Sequence, residues 1–290
     1  MNFGFTEEQD LLRTEVRKLL DARCSLPEVR KLMESQAGYS AGLWSELAEL
    51  GWLGLTIPEA HGGAGLGWVD FVVLLEETGR SLFPSPLVST TLAAAAILDS
   101  GSEEQRARWL PGIADGSRIG TLVLDGARVP KSALLGAPGR AWPAIERLFD
   151  RGAIATTGEM IGAAEGALAL TVQYAKDRIQ FGNPIGKYQG VKHPLAEMYV
   201  DVESTKSLLY YAAWALDESP REVPRSASLA KAYASDAFAR IGIDGVQLHG
   251  AVGYTAEYDI QLFLKRSKWA RPTFGDSDFH YERVASLGGL

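Results

Sequence analysis

Cysteine occurs once in the 290 residues, at Cys24, so no disulfide can form within the chain and a reducing compartment, the cytoplasm, is the expected setting. Basic residues are outnumbered: 29 Lys and Arg against 36 Asp and Glu leave a net charge of −7. With no basic run and no basic face interleaved with aromatics, a nucleic-acid partner has no support. Long apolar runs are missing as well. Residues 92–98 are Ala-rich but fall far short of the roughly 20 residues that span a bilayer, and the N-terminus carries no basic-then-apolar leader, so no membrane association is expected. The densest glycine cluster, residues 54–67 (G-L-T-I-P-E-A-H-G-G-A-G-L-G), lacks both the Lys-Ser/Thr and the strand-turn-helix setting of a phosphate-cradling loop. His249 has no second ligand nearby in sequence, which leaves no metal site to expect and favours a structural hydrogen bond for its ring.

What is present is helical periodicity. Thr6 with Gln9 has the spacing of a capping box, and Leu11, Leu12, Val16, Leu19 and Leu20 follow as one stripe. Ser40 is placed to cap a second helix that runs to Leu50 and stops at Gly51, and another helix is expected over 68–80. Further on, apolar spacing predicts helices over 142–150, 152–178, 189–218, 225–248 and 259–269, with an irregular stretch from there to Leu290. Pro194 falls early enough in its helix to be tolerated or to give a small kink. Tyr210, Tyr211 and Trp214, at near-helical spacing, read as packing residues.

Two corners stand out against this helical background. Between the two longest helical segments lies D-R-I-Q-F-G-N-P-I-G-K-Y-Q, residues 177–189, whose Gly and Pro predict a tight helix-helix turn over 181–185. Arg178 then ends one helix and Gln189 begins the next, presenting a guanidinium and an amide from one corner. Taken alone, such a corner reads as a buried turn whose Arg pairs with a nearby carboxylate or carbonyl. The second corner is Q-L-H-G-A-V-G-Y-T, residues 247–255, after an apolar helix. Glycine there, without a Cβ, lets the backbone approach another group closely.

The string R-x-x-F-G-x-P-I-x-x-x-Q followed by helix resembles the flavin-binding corner of the acyl-CoA dehydrogenase family, and the second corner resembles that family's Q-x-x-G-G-x-G-x-T loop, with Ala251 replacing one glycine. I-P-E with G-G-x-G in 54–67, and S-E-E-Q-R-A-R-W-L-P-G-I-A-D-G over 102–116, resemble its N-terminal helical domain, while V-P-K-S-A-L-L-G over 129–136 resembles the way out of its middle β-domain. Between 116 and 139 there is room for two or three short strands only, and the Thr-Glu-Pro and Trp-Ile-Thr segments that hold the flavin ring in the family have no counterpart. The resemblance therefore implies a mainly α fold: an acyl-CoA dehydrogenase-like N-terminal helical domain (1–115), a vestigial β segment (116–140) and a C-terminal four-helix-bundle domain (141–290), with the middle β-domain largely deleted. It also implies that Arg178, Phe181, Gln189, Gln247, Leu248, Gly250 and Ala251 serve the pyrophosphate and adenosine of an FAD held by a neighbouring subunit.

The family's reaction removes an α proton from a thioester with a glutamate while hydride leaves the β carbon for the flavin. Relatives place that glutamate at one of two positions, and here these are Gly275 and Gly152; Ala153 replaces the arginine often next to the latter. Asp276 is one position off and one methylene short, and Glu159 and Glu165 read as surface or interface charges. No catalytic residue is assigned to this chain. The resemblance thus implies a shortened, non-catalytic subunit of a heterotetrameric (α2β2) dehydrogenase that shares one FAD per pair with a full-length acyl-CoA dehydrogenase-like partner. Its substrate would be an acyl-CoA, a steroid side-chain thioester by analogy, and its electron acceptor the electron-transfer flavoprotein that the family usually employs. Two other readings stay open: a scaffold or binding protein on the same fold, and a flavin-free enzyme using Asp276 or His249 as base.

Overall fold

The computed structural model describes residues 4–117 and 128–289. The first part is helical: α1 (Glu7–Arg23), α2 (Leu26–Glu34), α3 (Ala41–Glu49), α4 (Trp68–Arg80), α5 (Leu87–Ser100) and α6 (Glu103–Ala114). The capping box forms as the sequence implied, with Thr6 Oγ1 accepting the Gln9 N–H at 3.2 Å and Gln9 Oε1 accepting the Thr6 N–H at 3.1 Å. α2 and α5 were not legible as helices. Within 54–67, a Cβ on Gly63 would sit 2.0 Å from the Ile57 carbonyl oxygen, so this glycine lets backbone pack on backbone.

α4 is apolar almost all round because it lies between α1 and the C-terminal helices; Phe71, Val72, Val73, Leu74 and Leu75 are all buried. Its only buried charges, Glu76 and Glu77, are met from α1 by Arg13 at 2.5 Å and Arg17 at 2.7 Å. Burial pushes the Glu76 carboxyl above its ordinary value, and Arg13 opposes this.

The second part is built on α7 (Trp142–Asp177), a small hairpin β1 (Ile179–Gln180) and β2 (Asn183–Pro184), then α8 (Gln189–Glu218), α9 (Val223–His249), α10 (Ile260–Ala270) and α11 (Ser277–Leu287). α7, α8 and α9 run up, down and up. The C-terminal ends of α7 and α9 and the N-terminal end of α8 therefore share one end of the bundle, and the start of α7, the start of α9 and the 271–277 loop share the other. Tyr210 and Trp214 pack partly buried on the common core, and Tyr211 lies 5.7 Å from Trp214, as packing residues should.

Four expectations are corrected. The helices read as 142–150 and 152–178 are one 36-residue helix that runs straight through Gly152, where the missing Cβ leaves room for the Phe274 ring. The stretch after 269 is not irregular: Asp276 accepts the Phe279 N–H at 2.9 Å and caps α11. The turn over 181–185 is a two-residue β-hairpin, paired Ile179 to Pro184 and Gln180 to Asn183. Glu159 is not a surface charge but is buried in the contact of α7 with α10, 3.1 Å from Arg266. The strands expected over 116–139 fall largely on residues 118–127, outside the described residues. Among the described residues, β1 and β2 are the only strands.

Candidate functional site

The end of α7 sets the first corner. Arg178 caps the helix, its N–H bonded to the Tyr174 carbonyl at 2.8 Å and its own carbonyl accepting the Ile185 N–H at 2.8 Å, which closes the hairpin onto the helix. Phe181 (φ +52) and Gly182 (φ +76) are both left-handed, as a two-residue primed turn requires. For Phe this conformation costs roughly 1–2 kcal/mol. The strained ring is 90% exposed. No carboxylate or carbonyl among the described residues pairs with the Arg178 guanidinium, so the buried-turn reading of this corner does not hold. Gln189 opens α8, whose N-cap Tyr188 supplies no side-chain acceptor to the first-turn N–H groups.

The second corner closes α9. Gly250 (φ +64, ψ −144) sits where only glycine is at ease, and Gln247, Gly250 and Ala251 are exposed beside half-buried Leu248. A Cβ on Gly182, Gly190 or Gly250 would meet nothing within 4 Å, so both corners face open space. They adjoin across a cleft of about 310 Å³ bordered by Tyr174, Asp177, Arg178, His249 and Tyr258. His249 behaves as a structural residue: its ring stacks on Tyr174 at 4.3 Å, and Nδ1 lies 2.7 Å from the Gly245 carbonyl. Since that carbonyl can only accept, Nδ1 carries the proton and Nε2 is a buried lone pair without a donor. Burial holds this imidazole below its ordinary value, with the bond to Gly245 resisting.

The opposite end carries Gly152 and Gly275, the two positions the sequence resemblance implied for a base, and there the structure is filled. A Cβ on Gly152 would lie 2.4 Å from the Phe274 ring, and one on Gly275 (φ +88) would lie 2.6 Å from Phe279 and 2.9 Å from His280 Nε2. Phe149 meets Phe274, Phe279 and His280 at 6.1, 5.4 and 5.9 Å, completing an aromatic plug. Two cations staple it, one buried and one part-buried: Lys231 Nζ donates to the Arg271 and Gly275 carbonyls at 2.8 Å, and Arg283 Nη1 donates to Asp150 and, at 3.1 Å, to Ser228. Burial lowers Lys231 to about 8. Asp99 is opposed by burial yet held below its ordinary value by Arg151 and Arg147. The plug could not be read from sequence, although Phe149 and Phe274 flanking two glycines were its one visible sign.

His280 belongs to this plug, fully buried, with Nε2–H donating to the Phe274 carbonyl at 2.8 Å. Burial, with Lys231 and Arg283 nearby and Asp276 opposing them, lowers it to about 4. Between that value and ~6.5 the unfolded chain binds a proton that the folded chain refuses, so stability falls as pH drops through this window and levels off below it. The loss attributable to His280 is expected to be of the order of 3 kcal/mol. Urea midpoints of the wild type and His280→Gln at pH 7 and pH 4.5 check this. The variant should show the shallower acid loss, and identical losses would refute the assignment.

Comparison with known proteins matches the two helical parts of the chain. Residues 6–117 match the acyl-CoA dehydrogenase N-terminal domain and residues 139–287 the acyl-CoA dehydrogenase C-terminal domain, leaving only 118–138 between them. The acyl-CoA dehydrogenase IpdE2 of Mycolicibacterium smegmatis is 35% identical over 93% of this chain and 95% of its own length. Among solved structures, a chain of the Tcur3481-Tcur3483 steroid ACAD variant superposes with a TM-score of 0.86 at 28% identity over 98% of both chains. A chain of the ChsE4-ChsE5 complex of Mycobacterium tuberculosis does so at 0.91, 23% identical over 100% of this chain and 99% of that one. With both terminal domains matched and the middle β-domain essentially absent, the chain belongs to the acyl-CoA dehydrogenase family.

Proposed function

We propose that this chain is the non-catalytic subunit of a heteromeric acyl-CoA dehydrogenase and lends its exposed corners to the FAD of a full-length, acyl-CoA dehydrogenase-like partner. One observation carries the proposal: Arg178 and Gly152 stand at opposite ends of one helix, roughly 39 Å apart at about 1.5 Å per residue. A dinucleotide held at Arg178 falls short of the Gly152 end of the same chain, which supports a reactive ring carried by a partner. When bound, FAD supplies a hydride acceptor for the β carbon of the thioester. This chain's own residues have a different task. Arg178 and the uncapped first turn of α8 offer donors to phosphate oxygens, Gln189 and Gln247 offer amides to the adenosine portion, and Gly250 with Ala251 allows the backbone to come close. The plug at Phe274 keeps substrate and base out of the chain's own site.

An α2β2 assembly with one FAD per pair fits this division, with helical domains at 1–115 and 141–290 joined by the shortened segment 116–140. The similarity to a chain of a steroid ACAD supports a bulky, steroid-class acyl-CoA as substrate, and family habit supports electron-transfer flavoprotein as acceptor. No described helix is long and apolar enough to cross a membrane. The flavin-free reading is disfavoured because Asp276 spends its carboxylate on the cap of α11 and His249 Nε2 is sealed from solvent.

Phe181 tests the reading. A ring this exposed adds little to the isolated chain, and glycine suits φ +52 better, so Phe181→Gly should leave the melting temperature unchanged or slightly raised. In the complex co-expressed with the partner, the same change should weaken association at least tenfold and lower flavin content. A variant that keeps both association and flavin removes the tip from the interface and counts against the proposal.

A further inference from the structure

We infer that Tyr174 is a positioning residue that couples the two flavin-facing corners, so that they hold or release the nucleotide tail together; this rests on the function proposed above. Tyr174 lies one helical turn before Arg178 and touches both corners with different atoms. Its backbone carbonyl accepts the Arg178 N–H at 2.8 Å, the final helical hydrogen bond of α7 before the hairpin. Its hydroxyl donates to the His249 carbonyl at 3.2 Å, on the peptide that leads into Gly250. Its ring stacks on the His249 imidazole at 4.3 Å with an interplanar angle of 25°. A shift of Tyr174 therefore moves both corners.

His249 is an anchor for this coupling because it is gripped from several sides. Nδ1–H donates to Gly245, and a Cβ on Gly253 would lie 2.9 Å from the His249 Cβ, so the turn after α9 folds tightly back on it. Tyr258 meets the His249 ring edge-on at 5.4 Å and the Tyr174 ring at 5.9 Å. Tyr258 is itself pinned from the N-terminal helices: Arg30 on α2 donates to the Tyr258 carbonyl at 3.0 Å and to the Ala256 carbonyl at 2.7 Å, and pairs with Asp259 at 2.8 Å. Within this rigid frame, Tyr174 is the one residue that bonds the His249–Gly250 peptide and the Arg178 N–H alike.

The discriminating variant is Tyr174→Phe, which removes the hydroxyl and keeps the ring stack. In the isolated full chain, amide hydrogen exchange over 250–254 and over 179–188 should accelerate together, by about fivefold, the worth of one ordinary hydrogen bond. In the complex with its flavin-bearing partner, FAD should leave about fivefold faster, and a cycle with Arg178→Ala should be non-additive, the second change costing less than it does alone. A merely structural tyrosine would lower the melting temperature and leave the cycle additive. Exchange unchanged at both corners, or accelerated at only one, overturns the coupling, as does an additive cycle. Should Arg178→Ala itself leave FAD in place while Tyr174→Phe still loosens both corners, the coupling stands and the proposed use of the corners fails.

Discussion

Gly275→Glu, which puts a glutamate where the sequence resemblance implies the more common base position, is expected to give a destabilised and still inactive chain. At φ +88 any side chain is strained by roughly 1–2 kcal/mol. Its Cβ would also overlap the Phe279 ring at 2.6 Å and His280 Nε2 at 2.9 Å, and relieving such overlap in a packed region costs about 1–3 kcal/mol more. His280 does not yield easily, since it is fully buried and held by the Phe274 carbonyl, whereas the Phe279 ring is half exposed and has room to turn. The sum, about 2–5 kcal/mol, corresponds to a fall in melting temperature of very roughly 5–15 °C for a chain of this size. Gly152→Glu should fail for the same reason, because the Phe274 ring already occupies the space. Differential scanning calorimetry and thioester-dependent dye reduction check both variants. A stable variant that turns over an acyl-CoA would show the plug to be permissive and this chain's catalytic half to be merely one residue short.

Arg178→Ala is expected to do the reverse, sparing the fold and emptying the complex of flavin. The guanidinium has no partner among the described residues and is exposed, so its removal should leave the isolated chain within about 0.5 kcal/mol of wild type. Toward a phosphate it would supply charge-assisted bonds of about 1.5–3 kcal/mol, so FAD affinity of the complex should fall by roughly one to two orders of magnitude. Arg178→Lys should fall between, keeping the charge and losing the planar fork. Equilibrium dialysis of FAD against the three complexes measures this. Equal affinities would mean that the corner does not touch the nucleotide.

How far the sequence carried each feature follows from the range of the interactions involved. The long helices, the Thr6 capping box and the two corners depend on residues three to twelve positions apart, and local spacing revealed them. The hairpin did not show, because Phe-Gly is not a usual primed-turn pair and φ +52 at a phenylalanine is not a local preference. The continuity of α7 through Gly152 was hidden for a long-range reason: the glycine that reads as a helix stop is there to admit Phe274, more than a hundred residues later. α11 does not show in the sequence because Asp276 reads there as a carboxylate near the base position rather than as a cap. Glu159 misled in the same way, since its partner Arg266 lies on another helix. At the corners, Arg178 was legible as a motif residue, whereas Tyr174 and the frame around His249 exist only once α7 and α9 lie side by side.

The division of labour between this chain and a partner is tested most directly by counting FAD. The purified chain alone and the purified complex with its full-length acyl-CoA dehydrogenase-like partner would each be denatured and their released flavin quantified against protein. The expected result is no flavin on the isolated chain and one FAD per pair in the complex. Stoichiometric FAD on the chain alone, with oxidation of a thioester unaided, would contradict it.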